Sequence, residues 1–316
     1  MRVYESGLAS ADALPVNAAE SLRRWAVSRP LSIALCHKRR GRWKAWRWAE
    51  VPPEVARLET LLRRQGFGSD SRLALCGALE PTLILFALAA LAAGGQVVSA
   101  ARQLAGEELR VWLLRYRPSH AFLQSREAVS RWLEVGAEQP HELLLFSARS
   151  APRQQGNCRV LPLAGPPAVA LPQPWQAFEE QDSLWSEEGS EWREGLSLLL
   201  ERWLDRGEGL AFPENSESAA RDRREVSPVT LLLSSARQQA LAEEIEHRLA
   251  PADSWRRRLC DWAARDTQRG IRRWIEGRVR ELLGLRRLRT ILPGPASVVA
   301  LPHAYGWLRE DREQAA

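Results

Sequence analysis

Lysine is almost missing from this 316-residue sequence: Lys38 and Lys44 are the only two, and none follows position 44. Chemistry that needs a compact ammonium charge in the rest of the chain is thereby excluded, because the forked guanidinium of arginine supplies charge in a different shape. Cysteine is sparse as well. Cys36, Cys76, Cys158 and Cys260 lie far apart, with no CxxC pair and no histidine cluster at ligand spacing, so neither a disulfide framework nor a thiolate zinc site is indicated and reduced, mostly buried thiols are expected. There is no GxSxG elbow, and none of the five histidines stands in a nucleophile pattern with a serine or cysteine. The first residues, MRVYESGLASADALPV, lack the continuous apolar segment of a secretory signal, so the expected location is cytoplasmic. One uncharged run, Pro81 to Ala100, is long enough to cross a bilayer, but Gly94, Gly95 and Gln96 divide it into an Ala/Leu helix and a strand-like QVVSA.

What is present is a globular composition, 45% hydrophobic, with a formal charge of +6 and a pI near 9.7. The length suits two ordinary domains or one large one, and the charge admits polyanionic partners without ranking them. Along the chain, AESLRRWAVS places Leu22, Trp25 and Ala26 on one helical face. SIALCH, the turn RRG and WKAWRWAEV form a predicted hairpin. It leads into a helix at PPEVARLETLLRRQG, with prolines suited to a first turn and Gly66 to the C-terminal cap. Strand SRLALCG, the Ala/Leu helix, strand QVVSA, helix AGEELRVWLLRYR and strand HAFLQ follow. This β-α-β-α-β order predicts an α/β fold with a mainly parallel sheet covered by helices.

Residues 147–190 are rich in Pro, Gly and Gln, and are read as an irregular linker between an N-terminal α/β subdomain, 1–146, and a second α/β subdomain, 191–316. The second part contains a predicted helix near Trp192 to Asp205, strands GLAFPE and VTLLLSS, and a helix ARQQALAEEIEHRL. Its last region, Trp255 to Arg289, holds 12 Arg and 4 acids. Leu259, Trp262, Ile271, Trp274, Ile275, Val279 and Leu282 recur there at helical spacing, predicting amphipathic helices with an arginine-rich outer face. A solvated face is the ordinary meaning of such a run. The alternative is an anionic membrane surface reached through Arg256, Arg257, Arg272 and Arg273, which would place the chain peripherally on the inner membrane face. Nucleic acid is not expected, since no helix-turn-helix, zinc-finger or RNA-binding signature accompanies the charge. Glu243, Glu244, Glu246 and His247 spread around their helix and are read as solvated rather than as metal ligands. In KRRGRWKAWRWAEV, strand alternation sends Trp43 to one face and Trp46 with Trp48 to the other, so the three tryptophans are expected in cores rather than on one base-stacking platform.

The stretch from RWAVSRP through GFGSDSRLALCG to LAAGGQVVS resembles the beginning of the adenylate-forming enzymes, and specifically of the long-chain fatty acyl-CoA synthetases. Gly66, Phe67, Asp70, Arg72 and Leu73 match that family's G-v-x-x-G-D-R-V-A-l strand, while Ser69 and Ser71 depart from it. GEGLAFPENSESAARDRREVSPVTLLLSSARQQALAEEIEHRL is similar to a second family segment, with Arg237 at an arginine position and Ser235 near an expected proline. VRELLGLRRLRTILPGPASV is similar to a third. The matches run from Ala19 to Val135 and from Arg193 to Val298.

The resemblance implies attack of a carboxylate on the α-phosphate of ATP, with magnesium, followed by transfer to coenzyme A. It also implies a Thr-Ser-Gly-Thr-Thr-Gly-x-Pro-Lys-Gly phosphate loop between the Pro-rich stretch and Trp192. The sequence there is AFEEQDSLWSEEGSEWREG, with several acids, no threonine and no lysine. SARSAPRQQG, Ser147 to Gly156, is a weaker nominee for a decayed loop. The family's C-terminal domain with its catalytic lysine has no counterpart, so the expectation is an incomplete adenylate-forming N-terminal domain: a truncated, degenerate pseudoenzyme that binds a protein partner, an acyl chain or, weakly, a nucleotide. Two other expectations stay open, a ligase completed by a partner chain and a basic binding module on the same scaffold. No catalytic residue or metal ligand is assigned. The resemblance places an adenine-side loop at Gly294 and Ala296 and a second element at Tyr305, Gly306 and Glu310, for which a plain surface loop is the alternative.

Overall fold

The computed structural model describes residues 17–148, 151–163, 168–171, 178, 181–251, 254–265 and 270–292. They divide between two compact units drawn from separated stretches of chain. The first holds the described residues up to Leu31 and those within Trp46–Ala168 and Gly189–Gly207; the second holds those within Ser32–Ala45 and Val169–Glu188 and the described residues from Glu208 onward.

The first unit is built on a six-stranded sheet. Its strands are β3 (Arg72–Cys76), β4 (Gln96–Ser99), β5 (His120–Leu123), β6 (Leu143–Ser147), β7 (Arg153–Gln155) and β8 (Cys158–Pro162), in the order β4-β3-β5-β6-β8-β7. All pairs are parallel except β7 with β8. Helices α2 (Val51–Arg64), α3 (Pro81–Ala92), α4 (Gly106–Tyr116) and α5 (Arg126–Gly136) connect or flank these strands. The apolar run from Pro81 does split as expected. Its helical part is buried on every side from Pro81 to Ala90, and its remainder enters the sheet as β4. No described helix is long and apolar enough to cross a membrane.

Helix α1 (Ala18–Ser28) and helix α6 (Gly195–Arg206) close the first unit around tryptophan. The indole of Trp48 stacks on that of Trp203 at 4.9 Å and lies 6.0 Å from that of Trp25, whose Nε1 donates to the Leu204 carbonyl at 2.8 Å. Helix α6 ends at Gly207 with φ +65°, and a Cβ there would meet the Trp25 ring at 2.7 Å, so conformation and space both demand glycine.

The second unit carries a seven-stranded sheet. Its strands are β1 (Ile33–Arg39), β2 (Arg42–Arg47), β9 (Val169–Leu171), β10 (Ser183–Ser186), β11 (Gly209–Phe212), β12 (Thr230–Leu232) and β13 (Thr290–Leu292), in the order β13-β12-β10-β11-β1-β2-β9. From β13 to β1 the pairing is parallel. Helices α7 (Ala219–Val226), α8 (Ser235–Arg248), α9 (Trp255–Arg265) and α10 (Gly270–Leu283) belong to this unit. Residues 147–190, read from composition as irregular, thus supply strands β7 to β10. The reason they escape notice is their length of three to five residues, with β10 buried at every position and so without an alternating pattern.

The hairpin expected at the start of the chain is present. Trp43, Trp46 and Trp48 are all buried: Trp43 joins the core of the second unit with Cys36 and Trp185, and Trp48 lies in the indole stack of the first. Its two-residue loop has both central residues at positive φ, Arg40 at 51° and Gly41 at 70°, which is the type I′ geometry that matches strand twist. The carboxylate of Glu214 accepts both loop amides, Arg40 N and, at 3.1 Å, Gly41 N. Arginine is a poor residue for a left-handed position, whereas asparagine is favoured there. Arg40→Asn is therefore expected to raise unfolding stability by about 0.5–1 kcal/mol in chemical denaturation; a loss of stability would contradict this account of the turn.

Candidate functional site

Parallel strands followed by helices create anion sites at the carboxyl ends of the strands, where backbone N–H groups and the helix dipole point at a ligand. Strand β10 ends at Ser186, and the next eight residues, EEGSEWRE, run into α6. This is the segment in which the resemblance placed a phosphate loop, and its surroundings can be followed residue by residue.

Glu187 and Glu188 come first, both in the second unit. Glu187 accepts from Trp185 Nε1 at 2.8 Å and from Arg223 Nη1 at 2.9 Å. Arg223, on α7, is 2% exposed and has every arm in use. Nη2 donates to both oxygens of Glu244 at 3.0 and 3.1 Å, and Nε donates to the Leu283 carbonyl at 3.5 Å. Arg248 adds a second pairing to Glu244 at 3.1 Å. Glu188, also buried, accepts the backbone N–H of Ser234 at 2.6 Å. Ser234 is the N-cap of α8, its Oγ accepting from Arg237 N at 3.3 Å. The start of α8, which could attract an external anion, thus already faces a carboxylate of this chain.

Ser190 and Glu191 belong to the first unit. Ser190 is the only hydroxyl residue in the segment after β10, and it is spent on structure. Its Oγ donates to the Ala100 carbonyl at 2.6 Å and accepts from Gly77 N at 3.0 Å. Glu191 pairs with Arg102. The glycine of the segment, Gly189, is not open to a ligand, because a Cβ there would lie 2.5 Å from the Glu191 carboxylate and 2.7 Å from Arg102 Nε. Glu194 stands at the N-cap of α6 without a capping hydrogen bond from its side chain.

Beside Glu187, in the second unit, is a cavity of about 310 Å³ whose walls include Trp185, Glu187, Arg223, Arg237, Glu244 and Arg248. Acids and arginines both line it, and Arg223, Glu187, Glu244 and Arg248 pair with one another. Behind α7 a second charged cluster ties the hairpin down. The ammonium of Lys38, 5% exposed, donates to Asp222 at 2.9 Å and to Glu225 at 2.7 Å, and Trp43 Nε1 donates to Glu225 at 2.7 Å. Burial pushes the Asp222 carboxyl upward, but hydrogen bonds from Ser218, Lys38 and Glu214 N, together with the Lys38 charge, outweigh it and hold the group below its ordinary value. One of the chain's two lysines is thus a buried structural cation.

Thiol chemistry has no support. All four cysteines are free. Cys36, Cys76 and Cys158 are buried, and burial pushes the Cys76 thiol up to about 11 and the Cys158 thiol up to about 12. Burial, with Arg39 and Lys44 nearby, lowers His37 to about 3, so its imidazole is neutral. Among the described residues no group of three His, Cys, Asp or Glu could hold a metal ion. The helix residues nominated and set aside for that role are ion-paired instead, Glu244 with Arg223 and Arg248, and Glu246 with Arg257. Ser147 closes β6, and β7 with Gly156 forms an antiparallel edge hairpin with β8, so SARSAPRQQG leads into a strand rather than a helix N-terminus. Gly294, Ala296, Tyr305, Gly306 and Glu310, the residues placed by resemblance near an adenine, lie outside the described residues.

No family model and no curated protein sequence matches this chain. Solved structures do match it. The long-chain-fatty-acid-CoA ligase of Archaeoglobus fulgidus aligns with a TM-score of 0.59 at 12% identity, covering 88% of this chain and 63% of the ligase. For the acetoacetyl-CoA synthetase of Streptomyces lividans the TM-score is 0.52 at 16% identity, with 72% and 44% covered; for an acyl-CoA synthetase of Brucella canis it is 0.54 at 13%, with 76% and 52% covered. The fold is that of the adenylate-forming ligases, and this chain spans 44% to 63% of the length of those three proteins.

ATP and magnesium, which that fold commonly serves, do not fit the segment after β10. In the second unit a triphosphate there would meet Glu187 and Glu188, and the segment that follows offers no lysine, no free hydroxyl and no open glycine. What the arrangement does chemically is neutralise itself. Arg223→Leu is expected to cost about 3–5 kcal/mol of unfolding free energy, because it strands Glu187 and Glu244, and adding Glu187→Leu and Glu244→Leu should recover most of that loss. A single variant as stable as the parent would show that Arg223 does not hold this region.

Proposed function

We propose that this chain is an acyl-CoA synthetase-like protein that does not by itself convert a carboxylate into an acyl adenylate. In that reaction a carboxylate oxygen forms a bond to the α-phosphorus of ATP and pyrophosphate leaves, so negative charge gathers on phosphate oxygens and must be met by amides, hydroxyls and cations. The observation that carries the reading is the acidic segment behind β10, with Glu187 locked to Arg223 and Glu188 occupying the N-terminus of α8. At an effective dielectric constant of about 20, a carboxylate about 4 Å from a phosphate charge opposes it by roughly 4 kcal/mol. Pairing with Arg223 offsets part of this at Glu187, but it also leaves that guanidinium with no arm free for a phosphate.

The fold supports the kinship, and the segment supports the loss. On this reading the scaffold is kept for binding, of an acyl chain or a protein partner. The test is ATP–pyrophosphate exchange with the purified chain, magnesium and fatty acids of several lengths. No exchange above a heat-inactivated control is expected, and exchange dependent on both fatty acid and chain would overturn the proposal.

A further inference from the structure

Helices α9 and α10 pack against each other and carry most of the exposed large apolar side chains of the described chain. On α9 these are Trp255, 70% exposed, Leu259 and Trp262, spaced by four and three residues and so on one face. On α10 they are Ile271 and Trp274, 72% and 71% exposed, and Leu282. The other described residues contribute only Val27, Leu31, Val111 and Leu114, each from α1, the loop after it or α4. Six large apolar groups, each at least 41% exposed on one helical pair, need a cover, since isolated exposed hydrophobics are ordinary but a cluster of them is not.

The charges around this face sort into two classes. Arg257 and Arg280 are structural. Arg257 is 4% exposed and binds Glu246 of α8 at 2.7 Å and Asp261 at 3.0 Å, while Arg280 is buried and donates to the carbonyls of Leu285 and Leu288. Arg256, Arg258 and Arg286 are exposed. Arg258 falls within the stripe that Trp255, Leu259 and Trp262 define, and the Arg256 guanidinium lies 5.6 Å from the Trp255 ring centroid. Among the described residues the acids of α9 and α10 are engaged, Asp261 with Arg257, Glu276 with Arg280 at 3.7 Å and Glu281 with Arg278 at 2.7 Å. Among the described residues, the exposed large apolar groups are accompanied at the surface by Arg256 and Arg258.

We propose that the outer face of α9 and α10 binds the surface of an anionic lipid bilayer. Indole rings and leucine side chains enter the boundary between headgroups and acyl chains, and the free guanidinium groups meet lipid phosphates, the arrangement of an interfacial amphipathic helix. The charge decides the occupant: a second copy of this chain would bring the same arginines against each other, whereas an anionic bilayer complements them. Of the four arginines singled out in the sequence for such contact, Arg257 has the buried structural role just described and Arg256 stands at the proposed surface. The side chains of Arg272 and Arg273 lie outside the described ones. The proposal does not depend on the fate of the nucleotide site.

The test is flotation of the full chain with vesicles of phosphatidylcholine alone or mixed with phosphatidylglycerol. Binding is expected only with phosphatidylglycerol, to weaken with salt, and to fall about tenfold or more in Arg256→Glu with Arg258→Glu and, separately, in Trp255→Ser with Trp274→Ser. These positions are exposed, so circular dichroism should be unchanged. Failure to float with anionic vesicles would overturn the proposal. So would variants that bind as tightly as the parent, a dimer in light scattering that Trp255→Ser with Trp274→Ser dissolves, or DNA binding that the tryptophan pair does not affect.

Discussion

The guanidinium of Arg223 is the fixed point of the second unit. With 2% of its surface exposed it joins the residue after β10 to α8 and to the end of α10, through Glu187, Glu244 and the Leu283 carbonyl. A buried cation of this kind is tolerable only when its donors are satisfied, and here each arm has an acceptor. The consequence reaches beyond packing. The carboxyl end of β10 is where a parallel sheet has its best opportunity to hold an anion, and this chain fills the place with its own glutamates.

Two structural habits of the molecule follow the same logic. Groups that a phosphate would use are committed internally: Ser190 Oγ to Ala100 and Gly77, the Ser234 amide to Glu188, the Lys38 ammonium to Asp222 and Glu225. On α9, by contrast, Arg256 and Arg258 stand exposed beside Trp255. On the reading proposed above, a scaffold with the fold of the adenylate-forming ligases serves here for adhering rather than for activating a carboxylate.

Much of the fold was legible because its strongest signals are local. The all-apolar run before Gly94, the Arg-Gly turn and the proline-started α2 declare themselves by burial, positive φ and capping chemistry. The alternation of strands with helices pointed to a parallel α/β sheet, and the resemblance of the flanking segments to acyl-CoA synthetases agrees with the fold. Strands β7 to β10 were not legible, being three to five residues long and, in β10, buried throughout. Nor was the helix α7 or strand β13, whose sequences AARDRREV and TIL carry too few apolar positions to set a period. At the candidate site, the acids behind β10 were visible in the sequence, but their partners were not. Arg223 sits 36 residues from Glu187 and 21 from Glu244, and no spacing rule joins residues that meet only through sheet topology. The exposure of Trp255 and Trp274 was hidden for the opposite reason: helical periodicity marks an apolar face without saying whether anything covers it.

On the proposed reading the carboxyl end of β10, its donors and charges engaged internally, does not hold a triphosphate, and equilibrium binding tests this without reference to any substrate. Titration of the purified chain with ATP and magnesium in a calorimeter is expected to give no saturable heat. A saturable isotherm at micromolar affinity, abolished when the nucleotide is withheld and magnesium added alone, would contradict it.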